Sequence, residues 1–179
     1  MNKDAIVSLD TIKKNDICVE VGVWKGELSA QILKKPIKEL HLVDPWKSIT
    51  DIPERFHAIP QDEMDEIHDD IVAKFSGDDR VKIIRDFSAK AVEKFEDNSV
   101  DWVYIDGNHS YEFVKEDLNL WWPKVKKGGM LCGDDFHDEV YQVQVLDFGV
   151  VEAVNEFVNE KIDEIKNFET IKYQFFIKK

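Results

Sequence analysis

Short β-branched apolar runs alternate along this chain with longer amphipathic stretches, and no repeat, low-complexity segment or Gly/Ser linker separates them. That alternation predicts an α/β fold with a mostly parallel sheet and helices on both faces. The runs are nearly unbroken in polarity, as strands covered on both sides must be. A length of 179 residues is enough for one real core and too little for two, so residues 1–179 are expected to form a single domain.

The elements follow in order. Residues 17–21 read as the first strand. Residues 26–34 then read as a helix stopped at Pro36, because proline disfavours helical geometry in the residue before it. The second strand is 39–43. Met64, Ile67, Ile71, Val72 and Phe75 recur at helical spacing across 62–75, a helix closed by Gly77. Strands at 81–84, 101–105 and 130–133 are separated by helices at 88–95 and 111–121, and a last helix spans 150–158. The alternating tail, 168–177, reads as an antiparallel pair. The sum is a Rossmann-like sheet extended by an antiparallel C-terminal hairpin, which fixes no chemistry by itself.

Bulk composition narrows the function classes. With 43% hydrophobic and 34% charged residues the chain is ordinary globular material, not disordered, fibrous or membrane-embedded. No apolar run approaches the roughly 20 residues a membrane span needs, and the first residues lack the apolar stretch of a secretion signal, so the expected location is cytoplasmic. A formal charge of −13 repels phosphate backbones and anionic membranes. Neither nucleic acid nor membrane is expected as a partner; oligomeric state is open, a homodimer included. Cys18 and Cys132 fall in strands two apart, about 10 Å at the usual strand spacing, too far for a disulfide. They are expected to be buried thiols.

Chemistry concentrates at strand ends. The first strand runs into Glu20-Val21-Gly22-Val23-Trp24-Lys25-Gly26 just before a helix. A dinucleotide site needs glycines in G-x-G-x-x-G so that backbone closes on a pyrophosphate, and the first of these is missing. An acid followed by glycines four apart suits a ligand with a charged amino-acid end, although the same glycines also serve a plain tight turn. The second strand ends in Asp44-Pro45-Trp46, placing a carboxylate near the offset at which ribose hydroxyls are gripped. Trp46 reads equally as a ring stacked on a base and as core. After the third strand stand Asp86, Phe87 and Ser88, the last also a natural helix N-cap.

The densest segment is Ile105-Asp106-Gly107-Asn108-His109-Ser110-Tyr111-Glu112, followed by Gly133-Asp134-Asp135-Phe136. Two strands deliver Asp106, Asp134 and Asp135 to the edge of an α/β sheet where ligands bind. Three carboxylates at one point repel each other unless a cation or protons compensate them, and an all-oxygen set selects a hard ion.

The E-x-G-x-x-x-G and I-D-G-x-H-S-Y-E runs resemble class I S-adenosylmethionine-dependent methyltransferases, in particular the metal-dependent small-molecule O-methyltransferases of the macrocin and catechol types. The resemblance spans residues 20–136. It implies S-adenosylmethionine as cofactor, held by Glu20, Gly22, Trp24, Gly26 and Ser29 around the methionine part, by Asp44 at the ribose, and by Trp46, Asp86, Phe87 and Ser88 at the adenine, with Asp106 beside the reacting end. It further implies Mg²⁺ or another divalent cation on Asp106, Asp134 and Asp135, and transfer of the methyl group to a hydroxyl of a small-molecule acceptor. Catechol-type members carry Asp-Asn at the second metal strand and a lysine three residues after the first ligand, where this chain has Asp134-Asp135 and His109. The base is therefore expected to be His109, acting with Asp106, since an imidazole titrates near neutral pH. Two other readings are an NAD-dependent oxidoreductase, weakened by the missing glycine, and a cofactor-binding module without catalysis. Acceptor specificity is expected in segments 49–61 and 137–149, with a lid at 141–148.

Overall fold

Seven strands make one sheet: β1 (Ile17–Val21), β2 (Glu39–Asp44), β3 (Val81–Arg85), β4 (Val100–Ile105), β5 (Val125–Gly133), β6 (Asn167–Ile171) and β7 (Gln174–Lys178). Their spatial order is β3-β2-β1-β4-β5-β7-β6. The first five are parallel, and β7 runs antiparallel to both β5 and β6. The sheet comes from a computed structural model that describes residues 5–48, 59–137 and 148–179. Both segments to which specificity was assigned, and the lid, lie largely outside the described residues.

Helices α1 (Ala5–Ser8), α2 (Glu27–Ile32), α3 (Gln61–Phe75), α4 (Ser88–Ala91), α5 (Tyr111–Trp121) and α6 (Val150–Glu160) connect or flank the strands. None is long and apolar enough to cross a membrane. Because side chains alternate across a strand, each strand feeds two cores. Val19, Val103, Ile105, Leu131 and Ile177 pack with Val114, Leu118 and Trp121 of α5 and with Val154 and Phe157 of α6. Cys18, Leu40, Leu42, Trp102, Tyr104 and Phe176 pack on the other side with Ile32 of α2 and Ile67, Ile71 and Phe75 of α3. Both cysteines are buried and free, as expected from their separation.

One expectation needs adjusting. Strand β5 begins at Val125, five residues earlier than its apolar run suggests, because Lys126-Lys127-Gly128-Gly129 reads as a loop while its backbone still pairs with β4 across a register shift. His68 of α3 lies edge-on to buried Trp46 with ring centroids 5.1 Å apart.

Candidate active site

In a sheet of this order the chain runs outward from β1 to β3, then returns to β4. The crevice between β1 and β4 is thus the switch point, where open α/β sheets bind ligands. Two backbone bonds tie the tips together there: Gly22 N–H to Val43 O at 2.9 Å and Asp106 N–H to Val21 O at 2.8 Å. Gly22 has φ +87°, and a Cβ at this position would stand 2.0 Å from Asp106 O and 2.7 Å from Gly107 N. Only glycine lets the bend after β1 lie flat on the bend after β4.

The bend is held by Asp44. Its Oδ2 accepts from Val23 N–H at 2.9 Å and Trp24 N–H at 3.0 Å, and its Oδ1 accepts from Trp46 N–H at 2.8 Å. A carboxylate has about four acceptor positions, so most of this group serves the loop, a use the sequence reading did not foresee. Asparagine at this position would turn one oxygen into a donor facing backbone donors. Asp44→Asn is expected to cost about 1–3 kcal/mol, read from urea unfolding midpoints; an unmoved midpoint would show that the clamp is dispensable.

The remaining members of the first motif do not line an open surface. Glu20 is buried, and its Oε2 accepts from the hydroxyl of Ser29, also buried, at 2.6 Å. Burial pushes the Glu20 carboxyl up to about 8, the Ser29 hydrogen bond opposing and nearby Asp44 adding to the rise. Gly26 faces α3, where a Cβ would meet Ile71 Cδ1 at 2.6 Å. Glu20, Ser29 and Gly26, expected at the cofactor, are buried and form the floor under the bend. Lys74 of α3 reinforces that floor by donating to Lys25 O and Gly26 O, at 3.2 and 3.0 Å. Trp24 remains 42% exposed at the mouth.

Beside β2 and β3 lies a cavity of about 300 Å³ lined by Pro45, Lys47, Gln61, Arg85, Asp86 and Phe87 together with Trp46. Asp86 and Phe87 follow β3 directly and face this cavity. Trp46 borders the cavity but its ring is fully buried, with Nε1 donating to Trp24 O at 3.0 Å, in keeping with the core one of its two readings. Ser88 is neither N-cap nor free: Phe87 precedes the helix, and the Ser88 hydroxyl accepts from Trp121 Nε1 at 2.8 Å while also bonding Asp117.

Across the crevice Asp106, His109 and Asp135 converge, each offering a ligand atom within 4.8 Å of the others. His109 Nδ1 lies 3.3 Å from Asp135 Oδ2, and His137 Nε2 lies 3.3 Å from Asp135 Oδ1. Asp134, expected in the trio, is replaced there by His109: it is only 5% exposed, and its Oδ1 accepts from Asp135 N–H at 3.0 Å. Burial, then the neighbouring Asp134, Asp135 and Glu20, raise the Asp106 carboxyl well above the ordinary range. Burial lowers the His109 imidazole, Asp135 opposing and His137 assisting.

Three non-glycine residues at these strand tips, Trp24, Trp46 and Asp135, hold positive φ of 51°, 39° and 59°. Such strain persists where surrounding contacts impose it, and it gathers at binding sites. His137 and Phe148 lie in segment 137–149, to which acceptor specificity was assigned, without having been singled out as site residues, and Tyr173 escaped the sequence reading. Tyr173 sits at the β6–β7 turn, edge-on to His137 at 4.9 Å, and Phe148 lies 4.6 Å from the His109 ring. The pairing of β7 with β5 brings Tyr173 there, seconded by Phe136 N–H donating to Tyr173 O at 2.7 Å.

Residues 19–136 match a family of methyltransferase domains. An uncharacterized protein of Acanthamoeba polyphaga mimivirus is 30% identical over 154 residues, which cover 83% of this chain and 62% of that protein. Another, from Sinorhizobium fredii, is 35% identical over 69 residues, 38% of this chain and 7% of its own length. The chain thus spans less than two thirds of these curated relatives. Among solved structures, a protein of Staphylococcus aureus provisionally named caffeoyl-CoA O-methyltransferase aligns with TM-score 0.66 at 16% identity, over 100% of this chain and 84% of that one. The O-methyltransferase NovP aligns with TM-score 0.66 at 18% identity, over 99% and 78%. A provisionally named rRNA methylase of Clostridium thermocellum aligns with TM-score 0.65 at 14% identity, over 98% and 91%. At such identities the likeness is one of fold.

Proposed function

The chain belongs to the methyltransferase domain family, of the class I S-adenosylmethionine-dependent type, and from that membership we propose that it moves the cofactor's methyl group to a hydroxyl oxygen of a small molecule. One observation carries the reading: the glycine bend that would hold the donor lies in backbone contact with Asp106, which stands in one cluster with His109 and Asp135. A methyl donor and a group that takes a proton from its acceptor then share one crevice, which is the positioning that a direct displacement requires.

In this reading Val23 and Trp24 line the methionine part, and the cavity bounded by Asp86 and Phe87 takes the adenine. Asp44, with one acceptor position left, is the ribose candidate. His109, held neutral by burial, takes the hydroxyl proton; Asp106 lies at the reacting end. Asp106 and Asp135 also offer carboxylate oxygens to a divalent cation, which when bound would lower the acceptor's pKa while His109 stays the base. Tyr173 and Phe148 supply an aromatic wall for the acceptor's apolar part. The net charge of −13 favours a small acceptor over RNA.

Titration calorimetry with S-adenosylmethionine is expected to show one site. Incubation with methyl-labelled cofactor and a panel of catechols, other phenols and sugars is expected to give an O-methylated product, with turnover lost in chelator and restored by a divalent ion. Absence of cofactor binding sinks the proposal. Label found in RNA rather than in the panel removes the small-molecule acceptor, and full turnover in chelator removes the cation.

A further inference from the structure

The cluster beyond β4 and β5 is not the all-oxygen site that its acidic sequence suggests. Asp106 and Asp135 supply carboxylate oxygens, and His109 adds an imidazole nitrogen, all three ligand atoms within 4.8 Å of one another. A metal bonded to nitrogen and oxygen at roughly 2.0–2.2 Å sets its ligands roughly 3 Å apart along each edge of its coordination shell. The separation of 3.3 Å between His109 Nδ1 and Asp135 Oδ2 is already close to such an edge.

A second observation points the same way. His137 grips the other oxygen of Asp135, with Nε2 3.3 Å from Oδ1, and only 10% of its side chain is exposed. Its Nδ1 is buried and has no hydrogen-bond partner among the described residues. Asp135 is thus clasped between two imidazoles, and it is held at a φ of 59° that a non-glycine residue seldom adopts. A ligating carboxylate that is itself fixed by a neighbouring donor is the usual outer layer of a metal centre.

We propose that this cluster is a binding site for a borderline transition-metal ion, of the Zn²⁺, Co²⁺ or Ni²⁺ class, with Asp106, His109 and Asp135 as ligands and His137 holding Asp135 in place. The inference rests on the methyltransferase reading for the location of the site but differs from it in ion class and in the role of His109. Imidazole nitrogen favours late first-row metals, whereas Mg²⁺ prefers oxygen and water. A consequence follows for regulation. The nitrogen that binds the ion has no lone pair left for a proton, so a transition ion here silences His109 as a base.

Co²⁺ is the probe, because its visible absorption reports both ligand type and geometry. Titration of the chelator-treated full chain is expected to give a one-to-one visible band, displaced by stoichiometric Zn²⁺ but not by a hundredfold excess of Mg²⁺. His109→Ala should weaken Co²⁺ at least tenfold, and His137→Gln severalfold with the band retained. Far-ultraviolet circular dichroism on each variant, with His109→Asn as a second variant, separates lost ligation from lost folding. No band, displacement by equimolar Mg²⁺, or unchanged affinity in a folded His109 variant overturns the proposal. S-adenosylmethionine is titrated into the same samples. Cofactor binding without a Co²⁺ site defeats this inference alone, and a Co²⁺ site without cofactor binding defeats the methyltransferase reading alone.

Discussion

Gly22→Ala is expected to be the most damaging single substitution at the crevice. The new methyl carbon would stand 2.0 Å from Asp106 O, 2.4 Å from its carbonyl carbon and 2.7 Å from Gly107 N. All three are backbone atoms. They cannot swing aside as the end of a side chain can, so either the β1 bend lifts or the tip of β4 moves. The position also holds φ +87°, which costs an alanine roughly 1–2 kcal/mol, and overpacking adds roughly 1–3 kcal/mol. The combined loss is about 3 kcal/mol or more, read as a shift in the guanidinium midpoint. Whatever fraction stays folded should fail to bind S-adenosylmethionine, because the bend and Asp106 no longer meet. Gly77→Ala is the control: a Cβ there meets nothing within 4 Å, so the midpoint should move by less than about 0.5 kcal/mol. Equal effects at the two glycines would show that the close approach after β1 does not govern stability.

Glu20→Gln is expected to act in the opposite direction, and in a pH-dependent way. The carboxyl is buried and its pKa stands at about 8, against 4.5 for an ordinary glutamate. Below pH 4.5 the group is neutral whether the chain is folded or not, and the favourable state is complete. Between 4.5 and 8 the unfolded chain releases the proton while the folded one retains it. Stability therefore falls as pH rises, by up to about 1.4 kcal/mol for each unit crossed. Above the folded value both states are ionised and the loss is constant. Glutamine keeps an oxygen for the Ser29 hydroxyl and carries no charge, so the variant should match the parent near pH 4 and melt well above it at pH 8. Thermal melts at several pH values test this. Parallel curves for parent and variant would mean that Glu20 ionises freely in the folded protein. Asp117, raised by burial to about 6, contributes a loss of the same sign to both proteins over a narrower window that closes near pH 6.

Much of the fold is legible because its signals are local. Strand β1 and helix α5 begin and end where apolar periodicity says, at Ile17–Val21 and Tyr111–Trp121. The hairpin of β6 and β7 follows from alternation in the tail. β5 is the exception, its first half disguised by lysines and glycines. The site was legible as a set of strand tips and less so as a set of contacts. Trp46 shows why: a tryptophan after a strand has the same sequence signature whether its ring faces a ligand or the core, and here it faces the core.

The amino-acid sequence by itself determined the α/β alternation, the glycine bend after β1 and the delivery of acids to the ends of β4 and β5, since each depends on residues a few positions apart. Tertiary structure alone decided which of those acids face one another. Asp134 and Asp135 are chain neighbours, yet Asp134 is buried and accepts from the Asp135 N–H, while Asp135, at positive φ, faces His109. Likewise, Tyr173 joins the site only through the register of β7 on β5. Side-chain direction at a strand end depends on backbone angles and distant partners, and those are fixed only once the sheet has assembled.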